Sequence, residues 1–319
     1  MTPVTLQINL APSDARLVGL VLRHQMKQCG SYADEVMLTL DLRLVGRSHE
    51  FRATWEANKA SILATIDEIQ REFSNVRVAE VDRSPDTARA VSEAFFGGRS
   101  IPAVDYRGRP FYSYFFGLFS AAHDHVLHLD ADMLLGGGSP TWLSEAVAVL
   151  RERPNLMSCS PFPGPPTPNF ELLTQTGRPV SDMRAAYTFP HFSSRIFFLD
   201  RSVFRDYEPA RVLLPQPRRA IPRALLARRP AVASAEETIS RHMRRTGLER
   251  LDFLGRAPGL WGLHPPYRSE KFYRTLPDIV RMVEDDDLPE GQLGDYDVND
   301  SVVDWSDARA ELAAARWRL

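Results

Sequence analysis

The chain has 319 residues, is 44% hydrophobic and 25% charged, and carries a formal net charge of −2. That length suits one large domain or a core domain with elaborations; the composition is that of a globular protein, and the balanced charge gives no bulk case for nucleic-acid binding. No apolar run is long enough to span a bilayer, Met1–Val4 lacks the basic, apolar start of a signal peptide, and the two cysteines, Cys29 and Cys159, suggest neither a disulfide framework nor a zinc site, so a reducing cytoplasm is the expected setting.

Val4–Leu10 reads as a first strand, followed by the turn Ala11–Ser13 and by helical periodicity from Asp14 to Gln28 that stops at Gly30. Glu35–Asp41 is a second strand with a carboxylate at its end, Ala57–Phe73 a long amphipathic helix, and Val76–Asp82 a third strand again closing on Asp. This strand–helix alternation is the rhythm of a parallel sheet covered on both faces. Ligands of such sheets lie outside the carboxyl ends of the strands. Asn9, Asp41, Asp82 and Asp130 are therefore expected to converge on one crevice.

Ser84–Phe96 reads as a helix, Gly97–Gly98 opens a loop through Arg109-Pro110, and an apolar helix from Phe111 leads to the strand ending His128-Leu129-Asp130. Asp130-Ala131-Asp132 follows, and the chain breaks at Gly136–Gly138. Alternate residues of a strand share a side, so Asp130 and Asp132 are expected to face one point. Two carboxylates at the edge of a buried sheet repel each other and lose water. A hard divalent cation with oxygen ligands relieves both penalties. His123, His125 and His128 alternate beside Asp124, but an apolar strand entry without a nearby cysteine suits core or surface histidines better than zinc.

Further on, Ser139 is expected to cap a helix through Leu150 with Pro140 first. Ser160–Pro168, with five prolines, reads as a stiff loop, Phe192–Leu199 as a strand and Arg201–Tyr207 as a short helix or turn. Glu208–Ala233 is rich in Pro and Arg; it reads as a solvated basic segment, with peripheral contact to a membrane or anionic acceptor through residues 211–229 as the other reading. Ser234 opens a helix through Thr246 that Gly247 ends, with Ser234 and Glu237 spaced as a capping box. Gly259–Arg268 reads as an aromatic loop, residues 284–287 as an exposed, mobile acidic run, and Ser306–Leu319 as a terminal helix.

In these motifs the chain resembles a glycosyltransferase of the GT-A fold, nearest in layout to the large family-2 type, over roughly residues 4–265. The resemblance rests on an alanine-ended helix, an apolar strand and Asp130-Ala131-Asp132 in that order. It implies a Rossmann-like, mostly parallel α/β sheet with helices on both faces. Residues 1–135 would hold the donor and 136–265 the acceptor, with 266–319 as a C-terminal lid and helix. It implies Mn²⁺ or Mg²⁺ at Asp132, with Asp130 at the metal or the ribose and Ala131 in the donor contact. Asp41 would meet the base and Asn9 the nucleotide. Where the family has Arg-Asn in the helix before the central strand this chain has Tyr114-Phe115, although Gly117 matches. Phosphate contacts then fall to Arg109 or Arg268. Glu236-Glu237 resembles the acidic pair whose member is the base of inverting enzymes; the register favours Glu236. A late histidine that reaches the metal would be His264, with Arg268 and Lys271 near the phosphates.

The expected activity is metal-dependent transfer of a sugar from a nucleoside-diphosphate sugar, UDP favoured, to a hydroxyl of a glycan, lipid-linked or small-molecule acceptor. Three other readings compete. A haloacid-dehalogenase-type phosphatase would carry its Asp-x-Asp on the first strand. A nucleotidyltransferase would want a glycine-rich basic loop where Asn9-Leu10-Ala11-Pro12 stands. A non-catalytic nucleotide-sugar binder would be indifferent to loss of Glu236.

Overall fold

The structure, a computed structural model, describes residues 2–44 and 49–316. The amino-terminal half contains β1 (Val4–Leu10), α1 (Ala15–Gln28), β2 (Glu35–Leu40), α2 (His49–Glu72), β3 (Val76–Glu80), α3 (Pro85–Phe96), α4 (Tyr112–Ser120), β4 (His125–Asp130), β5 (Leu134–Gly136) and α5 (Trp142–Glu152). The remainder contains β6 (Leu156–Pro163), β7 (Arg178–Pro179), β8 (Ala186–Phe189), β9 (Ile196–Asp200), α6 (Val203–Asp206), α7 (Ala220–Leu226), α8 (Ala235–Thr246), β10 (Glu249–Phe253), β11 (Trp261–Leu263), α9 (Glu270–Glu284) and α10 (Ser306–Arg316).

The strands form one mixed sheet in the order β3-β2-β1-β4-β9-β6-β10-β8-β7, with β11 joining β6 to β5. β3, β2, β1 and β4 run parallel. β9 is antiparallel to both β4 and β6, and marks the change of direction between the two halves. The register sets Asn9 beside Thr39 on one side and Asp130 on the other, so three strands deliver polar side chains to one sheet edge.

The elements follow from local chemistry. On α1, Leu17, Val18, Val21, Leu22 and Met26 recur at helical spacing and are buried. α3 begins at the Ser84 cap with Pro85 at its first turn and ends at Gly97, whose φ of 61° suits glycine. β4 shows the two-residue period: Leu127 and Leu129 enter the apolar cluster shared with α1 and α9, while Val126 enters the one shared with α3, α4 and α8. Helices thus cover both faces, as the α/β reading expects.

Several expectations are corrected. β4 ends at Asp130 and Asp132 lies in the following turn, so the two carboxylates are placed by a turn rather than by strand alternation. The helix after the glycines starts at Trp142, because Ser139 and Pro140 form a turn in which the Ser139 hydroxyl accepts from the Thr141 N–H. Ser160–Pro163 is strand, not loop, since its neighbours β10 and β11 supply pairing. Trp261–Leu263 is likewise a strand between β5 and β6. The long helix begins at His49 instead of Ala57. Glu284 is not a free acid: it closes α9 and pairs with His24 at 2.9 Å and with Lys27. Residues 317–319 of the expected terminal helix lie outside the described residues. Residues 266–316, expected as a lid and helix, contribute Phe272, Ile279, Val298 and Trp305 to the same core as β1 and α1.

Candidate active site

A cleft of about 650 Å³ opens along the carboxyl ends of β1, β2 and β4. Asn9, Asp41, Arg109, Asp130, Ala131, Asp132, Glu236, His264 and Arg268 line it, nine of the positions singled out in the sequence. Asp82, Glu237 and Lys271 do not. The Asp82 carboxylate accepts from the Ser84 N–H and from the Ser84 and Thr87 hydroxyls, an arrangement that starts α3. Glu237 gives its backbone N–H to the Ser234 hydroxyl at 3.1 Å, half of the anticipated capping box. Lys271 pairs with Asp304 at 2.7 Å.

The Asp-x-Asp turn is held from below by α1. The Gln25 amide donates to the carbonyls of Asp130 and Met133 at 3.0 and 2.9 Å, and His24 Nε2 accepts from the Leu135 N–H at 3.0 Å. Asp130 remains 38% exposed at its side chain, 3.4 Å from His128 Nε2, whereas Asp132 is buried. Arg268 donates to Asp132 Oδ2 at 2.7 and 3.0 Å and to Asp14 Oδ1 at 2.6 Å. Burial works against the charge of Asp132, but Arg268, His264 and Arg195 outweigh it and hold the carboxyl below its ordinary range. For Asp14 burial wins over the same Arg268, and the carboxyl is raised. Burial also disfavours charge on Arg268, yet the two carboxylates keep it protonated more firmly than an ordinary guanidinium.

His264 follows β11. Its Nδ1 lies 2.9 Å from Asp297 and its Nε2 lies 3.9 Å from Asp132 Oδ2, with the Arg195 guanidinium contacting Nε2. A carboxylate on one ring nitrogen fixes the orientation of the other, the arrangement that metal-binding histidines use. Among the described residues no group of three His, Cys, Asp or Glu side chains could hold a metal ion alone. Asp132 and His264 bring one oxygen and one nitrogen donor to the same place, donor types that a divalent ion accepts but fewer than a full ligand set.

A second cavity of about 330 Å³ adjoins the first, lined by Phe189, His191, Phe192, Arg250, Asp252 and Tyr296 among others, and Glu236 borders both. Glu236 starts α8, and its Oε2 accepts from the Ser194 N–H at 3.1 Å and hydroxyl at 2.8 Å. Arg250 and Asp252 form a buried two-hydrogen-bond pair of 2.8 and 3.0 Å. Burial raises the Asp252 carboxyl despite that partner, and burial also lowers the His191 imidazole.

Sequence reasoning missed Asp14, Asp105, Ser194 and Arg195. Asp105 is fully buried; its Oδ1 accepts from the Arg107 and Arg109 N–H groups, while Oδ2 has no partner. The Tyr114 hydroxyl, also on the cleft, has none either. Both residues border the cleft, and both atoms are themselves buried. Nothing local in the sequence separates Asp105 from an ordinary turn aspartate.

No family model matches the chain, and no curated protein matches it. Solved structures that resemble it include glycosyltransferases and a sugar-nucleotide pyrophosphorylase. The galactosyltransferase LgtC with donor and acceptor sugar analogues shares 13% identity over 64% of this chain and 60% of that one, with a TM-score of 0.31. Residues 1–349 of S. aureus TarS with UDP share 12% over 89% and 67%, with a TM-score of 0.37. UDP-glucose pyrophosphorylase with UDP-glucose shares 9% over 88% and 99%, with a TM-score of 0.46. The chain spans about 60% of the length of the first two matched structures.

Proposed function

We propose that this chain is a glycosyltransferase of the GT-A type that moves a sugar from a nucleoside-diphosphate sugar, UDP favoured, to an acceptor hydroxyl with inversion. The observation that carries this reading is Glu236, a carboxylate at the junction of two cavities. The larger cavity has strand-end polar groups and arginines suited to a nucleoside diphosphate. The smaller has the aromatic rings and the paired acid and base suited to a hydroxylated acceptor.

On this reading Asn9 and Asp41 would meet the nucleoside, and Asp105 and Tyr114 at the cleft wall would meet donor hydroxyls. Arg109 and Arg268 bring positive charge to the diphosphate. Asp132 and His264 would hold Mn²⁺ or Mg²⁺, which when bound offsets charge on the departing nucleoside diphosphate as a Lewis acid. The Arg268 and Arg195 guanidiniums, now on those same two side chains, would turn to the phosphates. Glu236, fixed by Ser194, removes the proton from the acceptor hydroxyl as its oxygen attacks the anomeric carbon. One base with attack opposite the leaving group gives inversion.

Calorimetric titration of UDP and GDP with and without Mn²⁺ tests the donor site. Metal-supported binding should disappear in Asp132→Ala. In Glu236→Gln, UDP binding should stay within about twofold while transfer falls by about 10²–10⁴. Absence of binding by either nucleotide under every metal condition would overturn the reading and direct the search to phosphate-ester hydrolysis. Full turnover in Glu236→Gln would remove the base assignment.

A further inference from the structure

A basic, leucine-tipped segment stands apart from the chemistry of the cleft. Residues 209–235 contain six arginines, Arg211, Arg218, Arg219, Arg223, Arg228 and Arg229, and no aspartate or glutamate, in a chain whose net charge is −2. Leu214, Leu225 and Leu226 are 54, 63 and 87% exposed. The segment is nonetheless structured. Ala224 at the centre of α7 is buried, and the Ala233 N–H closes the base of the segment on the Leu213 carbonyl at 2.8 Å. Arg218, Arg219, Arg223 and Arg228 are exposed and make no ion pair with another described residue.

We propose that this face docks on an anionic membrane surface, Leu225 and Leu226 entering the headgroup–acyl boundary and the surrounding arginines meeting lipid phosphates. Aliphatic side chains this exposed cost free energy in water, and a lipid boundary removes that cost. Arginines beside them keep their heads in the polar layer while their stems follow the leucines inward. A nucleic acid or other soluble polyanion would satisfy the arginines and leave the two leucines wet. The docked face adjoins the cleft: the Tyr106 N–H donates to the Val232 carbonyl at 2.9 Å, Arg229 donates to the Arg107 carbonyl, and Asp105, Arg109, Ser234 and Glu236 line the cleft on either side of that junction. Docking itself is independent of the glycosyl-transfer reading; delivery of a lipid-borne acceptor to the cleft rests on it.

Flotation with vesicles tests the surface. At low salt the wild type should float with phosphatidylglycerol–phosphatidylcholine vesicles, stay behind with pure phosphatidylcholine, and be released as salt rises. Leu225→Ser with Leu226→Ser should weaken binding at least roughly tenfold. Arg218→Ser, Arg219→Ser and Arg223→Ser should each weaken it roughly fivefold. These side chains are exposed, so thermal midpoints should not change; if the leucine variant melts early, the arginine variants carry the test. Wild type that fails to float with anionic vesicles, or floats equally with neutral ones, overturns the proposal. So does a folded leucine variant that floats like wild type. Retention on heparin without flotation would assign the arginines to a soluble polyanion and also overturn it.

Discussion

His24 shows how one residue on α1 governs the Asp-x-Asp turn. It is buried, and burial pushes its pKa below the ordinary 6.5 against the upward pull of Glu284. Its Nε2 accepts from Leu135, so the ring is neutral with its proton on Nδ1 facing Glu284. A histidine with a lowered folded pKa binds fewer protons folded than unfolded, so its contribution is whole above pH 6.5 and is lost as the pH falls through the folded value. Glu284 adds to the same trend further down: burial alone would raise it, but Lys27 and His24 hold it below the ordinary 4.5, so its contribution fades as the pH falls below that value. Denaturant unfolding should therefore show stability declining as the pH drops below neutral. His24→Asn should flatten the upper part of that decline and cost about 1–3 kcal/mol at pH 7.5 by leaving the Leu135 N–H unpaired. An unchanged pH slope in the variant would contradict this account of His24.

At the scale of elements, the site depends on a close approach of β5 and β11. A Cβ at Gly136 would lie 1.9 Å from the Trp261 ring, which is itself buried. Gly137, with φ of 86°, would place a Cβ 2.4 Å from the Gly259 carbonyl oxygen. These glycines do more than break a strand: they let β11 lie against the turn and so present His264 three residues after Trp261. Gly136→Ala should cost about 1–3 kcal/mol by overpacking, read as a lower denaturation midpoint with altered tryptophan fluorescence. A midpoint equal to wild type would show that Trp261 can move aside. The sequence marked three glycines as a break, but what they accommodate is a strand it did not identify.

At the scale of the molecule, the carboxyl-terminal residues complete the cleft. Asp297 meets His264 at 2.9 Å and the two backbones pair, while the Val298 N–H donates to the His264 carbonyl at 2.8 Å. Arg268 meanwhile reaches back to Asp14 and Asp132 in the first half of the chain. Under the proposed donor site, Asp297→Ala should weaken Mn²⁺-supported UDP binding about 10- to 100-fold by releasing His264. Metal-free UDP binding should not change. Equal losses with and without Mn²⁺ would mean that Asp297 supports the nucleotide pocket and not the histidine.

The sequence by itself determined the periodic parts of this protein. β1, α1, β2 and β3, the Ser84 and Ser234 caps, and the apolar strand that delivers Asp130 each rest on contacts or capping within a few residues, and such patterns are written locally. It also placed Asn9, Asp41 and Asp130 at strand ends, which the parallel register then gathered, whereas a turn and not the strand sets Asp132 beside them. Only the tertiary structure decided which of those side chains share a cleft and what neutralises them. Asp82 turns to its own helix cap, Lys271 to Asp304, and Arg268 to two carboxylates far away in sequence. Burial strips water from Asp105, and packing sets Arg195 beside His264. Desolvation and long-range charge pairing are properties of the folded chain, and no local pattern of residue types encodes them.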